Sequence, residues 1–468
     1  MGRWIESYFR LFGRHWITRL GAILATVAAL MIVILAAIQL LGWVEGPYVG
    51  LVAFLILPGF FVAGLVLIPL GSWVARRRGL QYDDAMPVVD LNRPEIRRSI
   101  LVVVGLTVLN VLLLSYVSYE GIHHMDSVGF CGTTCHTVMQ PEFTAYQESA
   151  HSRVACVSCH IGPGASWFVK SKLSGLGQVL AVATHDYPRP IPSPVRNLRP
   201  SRDTCEQCHW PQRVTGDRVR LIRKHADDEA NTPLNTVLVL HVGGGRGGRG
   251  IHGWHLDANA ETTYAVGDPT RQTIPWVQVK RSDGTVETFR TSDKSLTDGQ
   301  IAALPKRRMD CLDCHNRPTH TFEMPEQAVD AALADGRLDR ALPFLRKVSI
   351  EALRASSAKG GEATLEPALL RFYGEKYPAL AADRARIQRT ADVLRALRAR
   401  NVFPEMGVDW GTYPINVGHE RSPGCFRCHD GEHTSATGET ISQDCDTCHA
   451  TLAVEEASPE ILNQLGIR

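Results

Sequence analysis

The twelve cysteines of this chain fall into six close pairs, and the second member of every pair is followed directly by histidine. Five motifs read CVSCH, CEQCH, CLDCH, CFRCH and CDTCH, and the first in the chain reads CGTTCH, with one extra residue between the thiols. The pairs are Cys131/Cys135, Cys156/Cys159, Cys205/Cys208, Cys311/Cys314, Cys425/Cys428 and Cys445/Cys448. The histidines are His136, His160, His209, His315, His429 and His449. With 18 histidines in 468 residues, chance would place one after a given cysteine roughly once in 26, so six from six reflects a chemical requirement. Covalent haem c attachment has that requirement: two thiols add to the vinyl groups as thioethers, and the adjacent imidazole ligates the iron. A structural zinc site does not need histidine after each pair, a thioredoxin-like site needs one pair, and disulfides need no histidine. Six haem c groups are therefore expected. In CGTTCH the extra residue is expected to be absorbed by the flexible Gly132–Thr133 stretch, leaving Cys135 and His136 adjacent.

Three segments have the length and apolarity of membrane helices: about 20–41, 49–74 and 99–117. Pro58 and Pro69 interrupt the second. The first is too long for a signal-peptide core and is expected to stay as an anchor. Arg3, Arg10, Arg14 and Arg19 precede it, and Arg76, Arg77, Arg78, Arg93, Arg97 and Arg98 lie around the second connection. The first connection, near Glu45 and Tyr48, has neither Lys nor Arg. Basic residues stay inside, so the N-terminus is expected in the cytoplasm and everything after about Tyr119 on the exported, periplasmic side of the cytoplasmic (inner) membrane. Haem c is attached on that side. A formal net charge of +2 offers no basic surface for nucleic acid.

The expected fold is a membrane-anchored multihaem cytochrome: three N-terminal transmembrane helices, then a mainly α and irregular, haem-packed exported domain with a small antiparallel β insertion. The membrane domain takes 1–118, a triple-haem domain 119–215, the β-rich insertion 216–305 and a helical triple-haem region 306–468. The insertion rests on TVLVLHV, TTYAV, TIPWVQVK and TVETFR, with an Asp-Gly turn between the last two. The run GGGRGGRG lacks the strand–turn–helix context of a nucleotide site and reads as a loop. After CLDCH the pattern turns amphipathic and helical, broken at Pro343.

Irons ligated on both faces need distal ligands. Apart from His15, which is cytoplasmic, eleven further histidines are available. His151, His225, His320 and His419 are the leading distal candidates, with one member each of His252/His255 and His123/His124 in reserve. Met139, shortly after the first motif, is an alternative axial ligand.

The stretch FCGTTCHTVMQPEFTAYQESAHSRVACVSCH resembles the first half of the NapC/NirT family, the membrane-anchored multihaem quinol dehydrogenases. The likeness covers about Tyr119 to His209. The whole chain is also similar to the three-helix inner-membrane cytochromes of metal-reducing bacteria. It departs from small family members, which have one membrane helix and four haems, and Met139 stands three residues after His136 rather than two. The resemblance implies oxidation of a quinol, menaquinol foremost, in anaerobic respiration. It implies partners in the membrane lipid and quinone pool, and electron delivery to periplasmic cytochromes or a terminal reductase. It further implies a lysine and an acidic group near the first haem: Lys170 or Lys172, with Asp186, Asp126 or a spare histidine such as His123 or His124 as base. The rival expectations are a reductase of a small substrate such as nitrite at an open iron, and an electron-storage or relay subunit without a quinol site.

Overall fold

The computed structural model describes residues 16–40, 56–78, 92–134, 136–162, 165–195, 199–210, 216–244, 250–256, 261–281, 283–292 and 296–467. The chain divides into two compact units, Met1–Cys135 and His136–Arg468.

The first unit contains α1 (Trp16–Leu40), α2 (Leu57–Arg77) and α3 (Pro94–Met125). Small residues set the packing of α1 on α2: a Cβ added at Gly64 would stand 2.6 Å from the Ala25 nitrogen, and one at Gly21 2.7 Å from the Gly64 oxygen. Such close backbone approach is how helices associate where water offers no driving force. Trp16–Leu35 and Leu57–Ala75 are long and apolar enough to cross a membrane. The third expected span, 99–117, lies inside the 32-residue α3. The first connection, the start expected for the second span, and most of the second connection lie outside the described residues. A π-type turn follows over Phe130–Thr134, running into CGTTCH. This wider turn takes up one more residue than an α-turn. The extra residue is thus held in a defined helical geometry, with Gly132 buried, and not in a slack loop.

The second unit opens with α4 (His136–Gln147) and α5 (Ala165–Ala183). Two antiparallel sheets follow. The first has strand order β1 (Arg218–His225), β2 (Pro233–Leu240), β8 (His449–Glu456). The second runs β6 (Lys306–Arg308), β3 (Glu261–Ala265), β4 (Trp276–Lys280), β5 (Val286–Arg290), β7 (Thr434–Ser435). Both sheets recruit a strand from the C-terminal region, so the β-structure is not a self-contained insertion ending at 305. Between β2 and β3 lies the short helix α6 (Gly250–His255), which begins on the last glycine of the run expected as a loop. Gly250 has φ +72°, and a Cβ there would stand 2.6 Å from the Gly243 Cα, so only glycine permits this fold-back.

Helices α7 (Pro325–Ala334), α8 (Leu345–Ala355), α9 (Leu365–Lys376) and α10 (Arg384–Asn401) form a bundle. Its core includes Leu345, Leu353, Leu365, Leu369, Ile387 and Leu394, all fully buried. The bundle contains no cysteine and packs on side chains alone. Pro343 falls between α7 and α8, as its missing N–H dictates.

Candidate functional site

The second unit brings histidines together in pairs. In each pair one ring belongs to a Cys-Cys-His motif and the other comes from elsewhere in the chain. His209 faces His151 with ring centroids 5.9 Å apart, His160 faces His320 at 6.3 Å, and His315 faces His252 at 6.3 Å. His429 faces His255 at 5.9 Å, and His449 faces His419 at 6.3 Å. An iron between two trans imidazoles, each bonded at about 2.0 Å with its ring centre roughly 1.15 Å further back, separates the centroids by about 6.3 Å. Two ligands of a tetrahedral ion would bring the centroids to roughly 5 Å. The residues therefore fit axial ligation on both faces of a haem, at all five regular motifs.

Local hydrogen bonds orient several of these rings. The Nδ1 of His320 lies 2.9 Å from the Glu142 carbonyl, that of His255 2.6 Å from the Ile251 carbonyl, and that of His429 2.7 Å from the Ser442 carbonyl. A carbonyl can only accept, so Nδ1–H donates and Nε2 keeps its lone pair for a metal. Burial pushes the imidazoles of His252, His255 and His320 below their ordinary range, and the Glu142 carboxylate only partly opposes this at His320. Neutral imidazole is the ligating form.

The attachment segments follow one another in space as they do in sequence. Cys159 lies near Cys208, and Cys205 lies beside Cys311. Cys314 lies within range of Cys425 and Cys428, and Cys448 of Cys425. Distal histidines come from neighbouring segments. His151, just before the second motif, faces the third, and His320, just after the fourth, faces the second. His252 and His255, three residues apart on α6, face the fourth and fifth.

His225 stands elsewhere. It ends β1, is 5% exposed, and its backbone N–H and Nδ1 lie 2.9 and 3.2 Å from the Asp330 carboxylate. It ties the sheet to the helical bundle and does not face a motif histidine. Sequence reasoning admitted one of His252 and His255; the structure places both against motif rings. It also overlooked Glu142 and Arg317. Arg317 donates to both Glu142 oxygens at 3.1 and 2.9 Å, donates to the His320 carbonyl, and lies 3.9 Å from the Tyr413 ring centroid. Nothing in the sequence marks this pairing, because 175 residues separate its members.

Of the first motif, Cys131 lies in the π-turn, while Cys135 and the His136 side chain are outside the described residues. Met139 is half-buried on α4. Lys170 and Lys172 both lie on α5, and Lys170 places its Nζ 4.7 Å over the Trp167 ring. Two residues along a helix is about 200° of rotation, so the lysines leave α5 on opposite flanks. Asp186 is exposed just beyond α5, its N–H bonded to the Ala181 carbonyl, and Asp126 caps the end of α3 in the other unit.

Thioether-forming cysteine pairs, each with its own histidine, on a chain with apolar N-terminal helices define a membrane-anchored c-type cytochrome that works in electron transfer. The chain belongs to the NapC/NirT cytochrome c family, whose N-terminal region matches residues 93–190. It is 42% identical over 443 residues to the cytochrome c-type protein ImcH of Geobacter sulfurreducens, covering 92% of this chain and 87% of that one. No solved structure matches.

Proposed function

We propose that this protein is a membrane-anchored hexahaem quinol dehydrogenase, with menaquinol as the substrate class, that passes electrons to extracytoplasmic redox partners in anaerobic respiration. The observation that carries the reading is the set of five histidine pairs. An iron held by such a pair would have no position left for a small substrate, which favours a relay over a nitrite-type reductase. When bound, haem supplies one-electron redox chemistry. The protein's residues supply the remainder. The paired imidazoles would hold the groups, and the neighbouring segments would keep them in sequence order from the second motif to the sixth. Quinol also releases two protons, which need a base at the membrane face: Asp186, Asp126, His123 or His124. A cation from Lys170 or Lys172 would steady the quinol oxygen as it loses its proton. Met139 or a histidine completes the first site.

The test is reduction of the full chain in lipid nanodiscs. Menaquinol should reduce it, and the oxidised protein should give only low-spin ferric signals by electron paramagnetic resonance. Reduction by dithionite but not by menaquinol would reject the dehydrogenase reading.

A further inference from the structure

Helix α5 carries an apolar stripe that no described part of the protein covers. Leu173, Leu176 and Leu180 are 68%, 62% and 64% exposed. Their spacing of three and four residues places them on one face. The far end of the helix is seated: Val182 packs against the cluster containing Val138, Phe322 and Met406. In the middle, a Cβ added at Gly175 or Gly177 would meet nothing within 4 Å.

The charges around the stripe indicate what covers it. Lys170 and Lys172 flank it on either side, and no acidic residue occurs between Ala165 and His185. Trp167 sits at the start of the helix beneath Lys170. A leucine face edged by lysines and an aromatic residue is the pattern of a helix lying in a membrane interface. The leucines enter the acyl region, and the exposed Lys170 runs its stem along it so that its ammonium group reaches anionic headgroups. A membrane is already at hand: the chain is anchored in one, and α5 begins only 40 residues after the last residue of α3.

We infer that α5 is an interfacial helix, with Leu173, Leu176 and Leu180 inserted into the outer leaflet of an anionic bilayer and the exposed Lys170 at its headgroups. This rests on the membrane location alone and stands whether or not the protein oxidises quinol.

The experiment uses the full chain in nanodiscs of phosphatidylethanolamine and phosphatidylglycerol. A benzophenone photo-crosslinking amino acid replaces Leu176, Leu180 or, as an exposed control on the other side of the helix, Gln178. All three positions are exposed, and the haem absorbance of each variant reports intact assembly. After irradiation, peptides bearing position 176 or 180 should gain a phospholipid mass, with that adduct lost at position 178. Should one of the two leucine variants fail to assemble, the other carries the test. Absence of phospholipid adducts at both leucine positions, equal adducts at 178, or crosslinks to protein instead of lipid would each overturn the assignment.

Discussion

Arg427, inside the fifth haem motif, donates a hydrogen bond to the backbone carbonyl of Asp313, inside the fourth, at 2.6 Å. The Asp313 side chain is 2% exposed and accepts from Tyr264 at 2.6 Å and from Arg307 at 2.9 Å. Neither residue is a motif cysteine or histidine, yet together they lock two attachment segments to each other and to the second sheet. Removing one partner of a buried charged network costs about 3–5 kcal/mol, because the others are left unpaired. Asp313→Ala should therefore lower the melting temperature sharply and reduce haem occupancy at the fourth motif. Calorimetry and intact mass of the purified holoprotein check both.

The histidine pairs predict which residues ligate and which are structural. His252→Ala and His255→Ala should each turn one low-spin iron high-spin while the covalent haem count stays at six, including the group on Cys131 and Cys135. His225→Ala should leave every iron low-spin and destabilise the fold by about 1–3 kcal/mol through its lost bond to Asp330. Electron paramagnetic resonance with intact mass distinguishes the two outcomes. A mass corresponding to five haems would remove CGTTCH from the haem sites.

Asp330 predicts the acid response of the bundle. Burial pushes its carboxyl up, but hydrogen bonds from His225 and from Arg346 at 2.8 Å outweigh this and hold it below the usual range. A depressed carboxyl contributes stability that is present above its unfolded value, about 3.9, and is lost as pH falls through the lower folded value. Unfolding measured from pH 6 to pH 3 should show stability declining below about pH 4. Asp330→Asn should start less stable and show a shallower decline.

Reporter fusions after residues 46, 85 and 125 should read outside, inside and outside. If the arginines before α1 and around the second connection hold their side in the cytoplasm and α3 crosses, three crossings would export the haem unit. An inside reading at 125 would show that α3 does not cross.

Attachment chemistry was legible because it is local: cysteine, cysteine and histidine sit within six residues, and the spacing alone specifies the group. Helices α7, α8 and α10 were legible because their apolar periodicity and Pro343 are also local. The rings that face the motif histidines were only partly so. A lone histidine has no local signature, and His225 and His320 look alike until Asp330 and Glu142 are placed beside them. The strand β8 was missed because it begins on the sixth motif's own His449, where haem attachment dominated the reading. The π-turn at Phe130–Thr134 was foreshadowed by the extra residue, but its form depends on the backbone hydrogen bonds that follow α3.

The two lysines of α5 give the sharpest test of the quinol site. Sequence reasoning treats Lys170 and Lys172 as interchangeable. On the helix they point about 200° apart, so a single bound quinol can meet only one of them. Lys170 is exposed above the Trp167 ring, while Lys172 is half-buried. A half-buried ammonium is the better placed of the two to act where water is scarce, since electrostatic stabilisation strengthens as the local dielectric falls. Lys172→Met should slow reduction by menaquinol roughly 10²-fold, comparable to the loss of one stabilising donor in other active sites. Lys170→Met should have little effect, and both variants should be reduced by dithionite at the normal rate. Stopped-flow absorbance of the haem bands in nanodiscs reads all three rates. Normal quinol rates in the Lys172→Met, Lys170→Met double variant would move the site off α5 altogether.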